Sequence, residues 1–270
     1  MVNYAKDQNI YNFASEIFTM DQLKITAVSY LNTFPFVYGI LRSGLLENYR
    51  LDLDVPSVCA EKLNSGDADI ALVPVGAVPD MKQASIITDY CIGAVSKVKT
   101  VLLLSQEPLD RIKKVHLDHD SRTSVVMVKV LASKYWKISP GWIQLNPGQS
   151  NDPSSYESIV AIGDKTFGMA DKFKYCYDLA EEWISFTSLP FVFAVWLAKK
   201  KLPETIVRSL NNALAYGVSH REESLEFLTG KHPPKKECLS YLEHNISYEF
   251  DEKKRDGMRL FLSYLQELGI

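Results

Sequence analysis

From Lys24 onward, short apolar runs of strand length alternate with stretches whose apolar residues recur at helical spacing. That alternation predicts βαβ units and a largely parallel sheet. A strand at Lys24–Val28 leads through Ser29-Tyr30-Leu31-Asn32-Thr33 into a helix near Phe34–Ser43, where Pro35 in the first turn sacrifices no helical hydrogen bond. A strand at Leu51–Pro56, a helix capped by Ser57 and ended near Gly66, and a strand at Ile70–Val75 follow. A second set begins after Thr100, with strands at Val101–Ser105 and Lys114–Leu117 and a helix from about Arg122 to Lys134. Strands near Ile143–Leu145 and Ile159–Ile162 and a helix near Leu179–Ser185 complete it. The run Pro190–Trp196 reads as a buried strand, and the stretches 204–220, 222–230, 235–244 and 251–268 read as packing helices with charged outer faces.

The second set interrupts the first, so the chain is expected to leave one sheet near Val98–Leu104 and return to it near Leu189–Leu197. Two such crossings predict an α/β, two-lobed, periplasmic-binding-protein-like fold of the second type, with a ligand cleft between lobes joined by two crossover strands. The expected segments are a loose N-terminal extension over 1–23, a first part of lobe 1 over 24–100, lobe 2 over 101–189, and a return strand with C-terminal helices over 190–270 that complete lobe 1.

Composition narrows the partners. Hydrophobic residues make up 46% of the 270-residue chain, and 30 basic against 33 acidic side chains leave a net charge of −3. No field draws such a molecule to nucleic acid or to an anionic membrane, so the expected partner is a small molecule. The first twenty residues lack the apolar core of a secretory signal, and the longest apolar run, Phe191–Ala198, is too short to span a bilayer. A cytoplasmic location is the expectation. Cys59, Cys91, Cys176 and Cys238 show no CxxC spacing and read as free thiols. Neither HExxH, GxSxG, a Walker loop nor GxGxxG occurs, which disfavours metal, nucleotide and acyl-enzyme chemistry and predicts no cofactor.

The turns at the C-terminal ends of strands carry the remaining chemistry, because helix N-termini there present free N–H groups. In Ser29–Thr33, Tyr30 and Asn32 can point into a cleft, although an N-cap is the plainer role for Asn32. In Leu117-Asp118-His119-Asp120-Ser121-Arg122-Thr123-Ser124, three hydroxyls and a guanidinium open a helix, an arrangement suited to a carboxylate or phosphate. The plainer alternative is a capped helix with a solvated Arg122. In Ile162-Gly163-Asp164, Gly163 permits close approach and Asp164 can bind a substrate hydroxyl, hold another loop or simply cap. Thr187-Ser188-Leu189-Pro190-Phe191 can set main-chain N–H groups and an aromatic wall over a ligand, although Phe191, Phe193 and Trp196 read more readily as core. Of the five histidines, His119 alone lies beside such a turn, and the surface is its expected place.

These segments resemble, in order, the chorismate dehydratases of the futalosine route to menaquinone. The resemblance rests on Ser29–Thr33, Asp69-Ile70-Ala71-Leu72-Val73-Pro74-Val75, Leu117-Asp118 with Ser121–Ser124, Ile162–Asp164, Asp178-Leu179 with Glu182-Trp183, and Thr187–Trp196, and spans about residues 24–200. The related naphthoate synthase of the same pathway typically has a different first motif. Two positions depart from the family pattern: Ser188 stands where Gly is usual, and Thr100-Val101 where Ser-Val is usual. The first departure is expected to narrow the cleft or alter its closure, whereas Thr100 keeps the hydroxyl.

The resemblance implies conversion of chorismate to 3-[(1-carboxyvinyl)oxy]benzoate and water, without metal or organic cofactor. It also implies a site in which Asn32 orients or polarises the reacting centre, and in which Ser29, Tyr30, Val75, Thr100, Ser121, Arg122, Thr123, Ser124, Asp164, Leu189, Pro190 and Phe191 contact the substrate. No turn pairs a well-placed His or Glu with an activating partner, so a substrate carboxylate is a candidate proton acceptor. A non-catalytic small-anion binder is the alternative on the same fold.

Overall fold

The computed structural model describes residues 22–119, 121–146, 149, 155–229 and 232–270. The expected N-terminal extension, up to residue 21, and Asp120 of the hydroxyl-rich turn lie outside them. Strands β1 (Leu23–Val28), β2 (Tyr49–Asp54), β3 (Ile70–Pro74) and β4 (Ser85–Ala94) open one sheet. Strands β5 (Val101–Ser105), β6 (Lys114–Leu117), β7 (Gly141–Gln144), β8 (Ser158–Ile162) and β9 (Tyr175–Asp178) make a second. The chain then returns with β10 (Phe191–Ala198) and β11 (Ser247–Glu249), giving a six-stranded order β11-β4-β10-β3-β1-β2 beside a five-stranded order β7-β6-β8-β5-β9.

The sheets are mixed rather than largely parallel. β1 runs parallel to β2 and β3, and β6 parallel to β7 and β8. Those pairs are linked by crossover segments, which is how parallel strands must be joined. β10 is antiparallel to both β3 and β4, and β5 is antiparallel to both β8 and β9. β5 and β10 are the strands that arrive from the opposite sheet, so no local crossover fixes their direction.

Helices α1 (Phe34–Arg42), α2 (Pro56–Ser65), α3 (Thr123–Val130), α4 (Leu179–Thr187), α5 (Glu204–Ser219), α6 (Arg221–Ser224), α7 (Lys235–His244) and α8 (Glu252–Leu268) cover the sheets. Pro56 takes the first position of α2 and Val55 precedes it without a side-chain cap, so Ser57 is not the cap expected there. Gly66 ends that helix at φ 86°, as expected. The stretch expected as one helix to Lys134 is α helical only to Val130 and widens into a π-helical turn over Leu131–Trp136.

The core is largely apolar, with Phe36, Trp183, Trp196, Phe191 and Phe261 among its largest buried side chains, beside the buried Lys254, whose ammonium pairs with Asp251. Phe191 sets its ring edge-on to Trp183 and Phe261, tying the return strand to α4 and α8. No described helix is long and apolar enough to cross a membrane.

Candidate active site

The two sheets face each other across a cleft with about 570 Å³ of atom-free space. One wall comes from the six-stranded side, with Tyr30, Asn32, Pro74, Phe193 and Ala194. The other comes from Ser121-Arg122-Thr123-Ser124, Ile162 and Gly163. Val98, Thr100 and Val101, on the outbound crossing, form the floor between them. None of the lining residues is a histidine, aspartate or glutamate. Hydroxyls, one amide and one guanidinium supply its polar groups.

Asn32 is fixed by neighbours on several sides. It sits in a 3-10 turn, Leu31–Thr33, and α1 begins after Thr33 without any side-chain cap, so the capping role does not apply to Asn32. Its carbonyl accepts a hydrogen bond from the Tyr248 hydroxyl at 3.0 Å, and its Oδ1 accepts one from the Thr33 hydroxyl at 3.1 Å. Behind the floor, the Tyr241 hydroxyl of α7 lies 2.8 Å from Thr100 Oγ1. Burial pushes the Tyr241 hydroxyl pKa up, while hydrogen bonds with the Thr100 and Asn32 side chains oppose that shift.

The hydroxyl-rich turn is partly committed to the protein itself. Ser121 Oγ accepts from the Ser124 N–H at 3.0 Å and so orders the start of α3. Thr123 Oγ1 accepts from the Gly76 N–H at 3.1 Å and donates to the Phe193 carbonyl at 3.2 Å, which latches this turn to the opposite wall. Arg122 lies 3.8 Å from Glu61 and 3.7 Å from Asp80, two exposed carboxylates across the cleft mouth. Behind the turn, buried Asp118 pairs with Lys165 at 2.5 Å.

A second latch joins the first loop to β8. Both oxygens of Asp164 accept the Leu31 N–H, at 3.2 and 3.1 Å, so Asp164 takes the loop-holding role rather than lining the cleft. Burial pushes its carboxyl pKa up, opposed by the Leu31 N–H. Gly163 at φ 71° lies under the Tyr30 ring, where an added Cβ would sit 3.0 Å from the nearest ring carbon. The outbound crossing is pinned as well: Asp178 accepts the Lys99 N–H at 2.7 Å and Asn245 donates to the Lys97 carbonyl at 2.8 Å.

Of the thirteen residues expected at the site, Tyr30, Asn32, Thr100, Ser121, Arg122, Thr123 and Ser124 therefore share one cleft. Ser29 is exposed, its N–H bonded to the Asp54 carbonyl at 2.9 Å. Val75 is fully buried beside the latch at Gly76. Leu189 and Pro190 pack against Gly257 of α8, and Phe191 supports Phe193 from behind at 4.8 Å between ring centroids. The aromatic wall on the cleft is Phe193, two residues beyond the expected one. His119 is exposed, away from the cleft lining. Burial pushes the thiol of Cys91 up to about 12 and that of Cys59 to about 11, so neither is a nucleophile near neutral pH. Tyr241 and Tyr248 escaped the sequence reading because nothing near them signals a site. Only tertiary packing brings the C-terminal helices behind the cleft.

Two sheets joined by two crossings, with a cleft at the crossings, define a periplasmic-binding-protein-like fold. Solved structures agree across nearly the whole chain. Protein AF1704 from Archaeoglobus fulgidus superposes with a TM-score of 0.73 at 10% identity, over 93% of this chain and 99% of its own. The alkanesulfonate-binding protein SsuA from Xanthomonas axonopodis pv. citri, bound to MOPS, gives 0.64 at 14% identity, over 92% and 93%. Within that class, a model of the menaquinone biosynthesis family matches residues 23–267, and the chain belongs to that family. It is similar to the chorismate dehydratase of Thermus thermophilus, with 25% identity over 268 residues, covering 87% of this chain and 92% of the relative.

Proposed function

We propose that the protein is a chorismate dehydratase, converting chorismate to 3-[(1-carboxyvinyl)oxy]benzoate and water as a step of futalosine-dependent menaquinone biosynthesis. The observation that carries the reading is the cleft itself. It is rich in hydroxyls, poor in charge and lined by Phe193, Asn32 and the turn Ser121–Ser124. The family and the Thermus relative support the same reading.

The reaction removes a ring proton and the hydroxyl on the neighbouring carbon. The electron pair of the broken C–H bond becomes part of the aromatic ring, the C–O bond breaks, and hydroxide leaves with the proton as water. Conjugation to the ring carboxylate acidifies the proton. Since none of the described lining residues carries a carboxylate or imidazole side chain, a carboxylate of the substrate takes the proton, and the protein supplies alignment and a closed, dry cleft. Arg122, Ser121, Ser124 and the N-terminus of α3 hold a carboxylate. Asn32 donates to the departing hydroxyl as it gains charge. Tyr30 and Phe193 enclose the ring.

Incubating the purified protein with chorismate and following loss of one water by chromatography and mass spectrometry tests the reading. Turnover without added metal or nucleotide is expected. Chorismate recovered unchanged from a protein that binds it would instead indicate a binding protein. Asn32→Ala is expected to lower kcat by about 100-fold while KM stays within about threefold, as for loss of a donor that acts in the transition state. Equal losses in kcat and in affinity would contradict that role.

A further inference from the structure

We propose that Tyr241 is a positioning residue that orients Asn32 and Thr100 together from behind the cleft; this rests on the dehydratase reading above. The Tyr241 side chain is buried on α7, away from the cleft lining, yet its hydroxyl lies 2.8 Å from Thr100 Oγ1, and the Asn32 side chain opposes the rise that burial imposes on its pKa.

Hydrogen accounting gives this chain a direction. Asn32 Oδ1 accepts from the Thr33 hydroxyl at 3.1 Å, and the Asn32 side chain lowers the Tyr241 pKa, as a donor to the phenol oxygen does and an acceptor does not, so the amide meets Tyr241 through Nδ2. Tyr241 then accepts from Asn32 and donates its own hydrogen to Thr100 Oγ1. Thr100 Oγ1 has only a long alternative acceptor, the Val98 carbonyl at 3.5 Å, so its hydrogen is available to a ligand on the cleft floor. Asn32 lines the cleft, so its second Nδ2 hydrogen is left for a ligand there. Burial raises the Tyr241 pKa and keeps the phenol protonated, so it serves as a fixed donor and acceptor rather than as an acid or base. One phenol near the end of the chain thus sets the orientation of a hydroxyl and an amide that come from two turns in its first 100 residues.

The test combines kinetics with side-chain NMR on the full-length protein. Tyr241→Phe removes only the oxygen. It is expected to cut kcat on chorismate by about 30-fold with KM within about threefold, the scale of one lost buried hydrogen bond to a positioned group. Thr100→Val should cost a similar factor. The double variant should lose little more than either single one, because both act through the same contact. Thr100→Ser, which keeps the hydroxyl, should retain most of the rate. The Asn32 side-chain amide protons, identified by their absence in Asn32→Asp, should exchange with water at least tenfold faster in Tyr241→Phe than in the wild type. That exchange readout needs no turnover, so it decides the role of Tyr241 even if the wild type leaves chorismate intact and the dehydratase reading falls. Multiplicative losses in the double variant, or unchanged Asn32 exchange, would overturn the proposal.

Discussion

Ser188 shows how a single residue can be misjudged from its neighbours in sequence. Its place in the motif suggests a side chain that narrows the cleft, yet the structure makes it the residue that ends α4, at φ 60° and ψ 16°, with its N–H on the Ile184 carbonyl at 2.8 Å. That left-handed conformation favours glycine, and a serine there is strained by about 1 kcal/mol. The Ser188 side chain is exposed and not part of the cleft lining. Ser188→Gly is therefore expected to stabilise the protein by about 0.5–1 kcal/mol, since the relief of strain outweighs the extra freedom of the unfolded chain. In a thermal melt this appears as a rise of roughly 1–4 °C, with turnover of chorismate unchanged. A lower melting temperature, or a change in KM, would return Ser188 to the cleft. Lys99, at φ 65°, is strained in the same way, but there Asp178 holds the N–H at 2.7 Å, and the conformation belongs to the crossing rather than to a helix end.

At the scale of elements, the tightest packing around the described glycines is between α1 and α5. A Cβ on Gly217 would lie 1.8 Å from the Pro35 carbonyl oxygen, and one on Gly39 would lie 1.9 Å from that of Ala213. Alanine favours a helix interior over glycine by about 1 kcal/mol, so propensity alone predicts that Gly217→Ala stabilises. The clash with backbone atoms is larger, because neither helix can yield without opening the layer that covers Phe36 and Ile40. Gly217→Ala is expected to cost about 3 kcal/mol or more in urea denaturation, and a loss below about 1 kcal/mol would mean the helices slide apart freely. The elements legible in the sequence were those with an uninterrupted pattern, such as β1, β3, β6, α5 and α8. β4 was missed because Thr88-Asp89-Tyr90 breaks its apolar run and its pairing shifts register against β10. β9 is an edge strand of only Tyr175–Asp178, mostly exposed, and β11 has three residues. Strands so short or so exposed acquire their pattern only from the sheet they join.

For the molecule as a whole, the candidate site was legible wherever a strand ended in a polar turn, and invisible where the contribution is a fold-level contact. Asn32 and Ser121–Ser124 belong to the first kind. Phe193, Tyr241 and Tyr248 belong to the second, since a bulged strand brings Phe193 to the cleft and α7 and β11 bring the two tyrosines behind it. The same contacts explain how the walls stay together. Arg122 adds little, because its carboxylate partners are exposed and 3.7–3.8 Å away. The Asp164 and Thr123 latches are part-buried, at 3.1–3.2 Å, and the fit of the Thr123 latch depends on bare backbone at Gly76. A Cβ there would lie 2.9 Å from Thr123 Cα and 3.1 Å from Thr123 N, both atoms of the opposite wall. The backbone of Gly76 itself is one that alanine can adopt, so Gly76→Ala should leave each sheet and its helices intact while keeping the walls a few tenths of an ångström apart. Lost alignment of that size is expected to lower kcat/KM for chorismate by about tenfold, with a melting temperature close to that of the wild type. Wild-type activity in Gly76→Ala would mean that turnover tolerates an open cleft. Exclusion of water by closure would then have no part in the reaction, which would be left to Asn32 and the hydroxyl-rich turn alone.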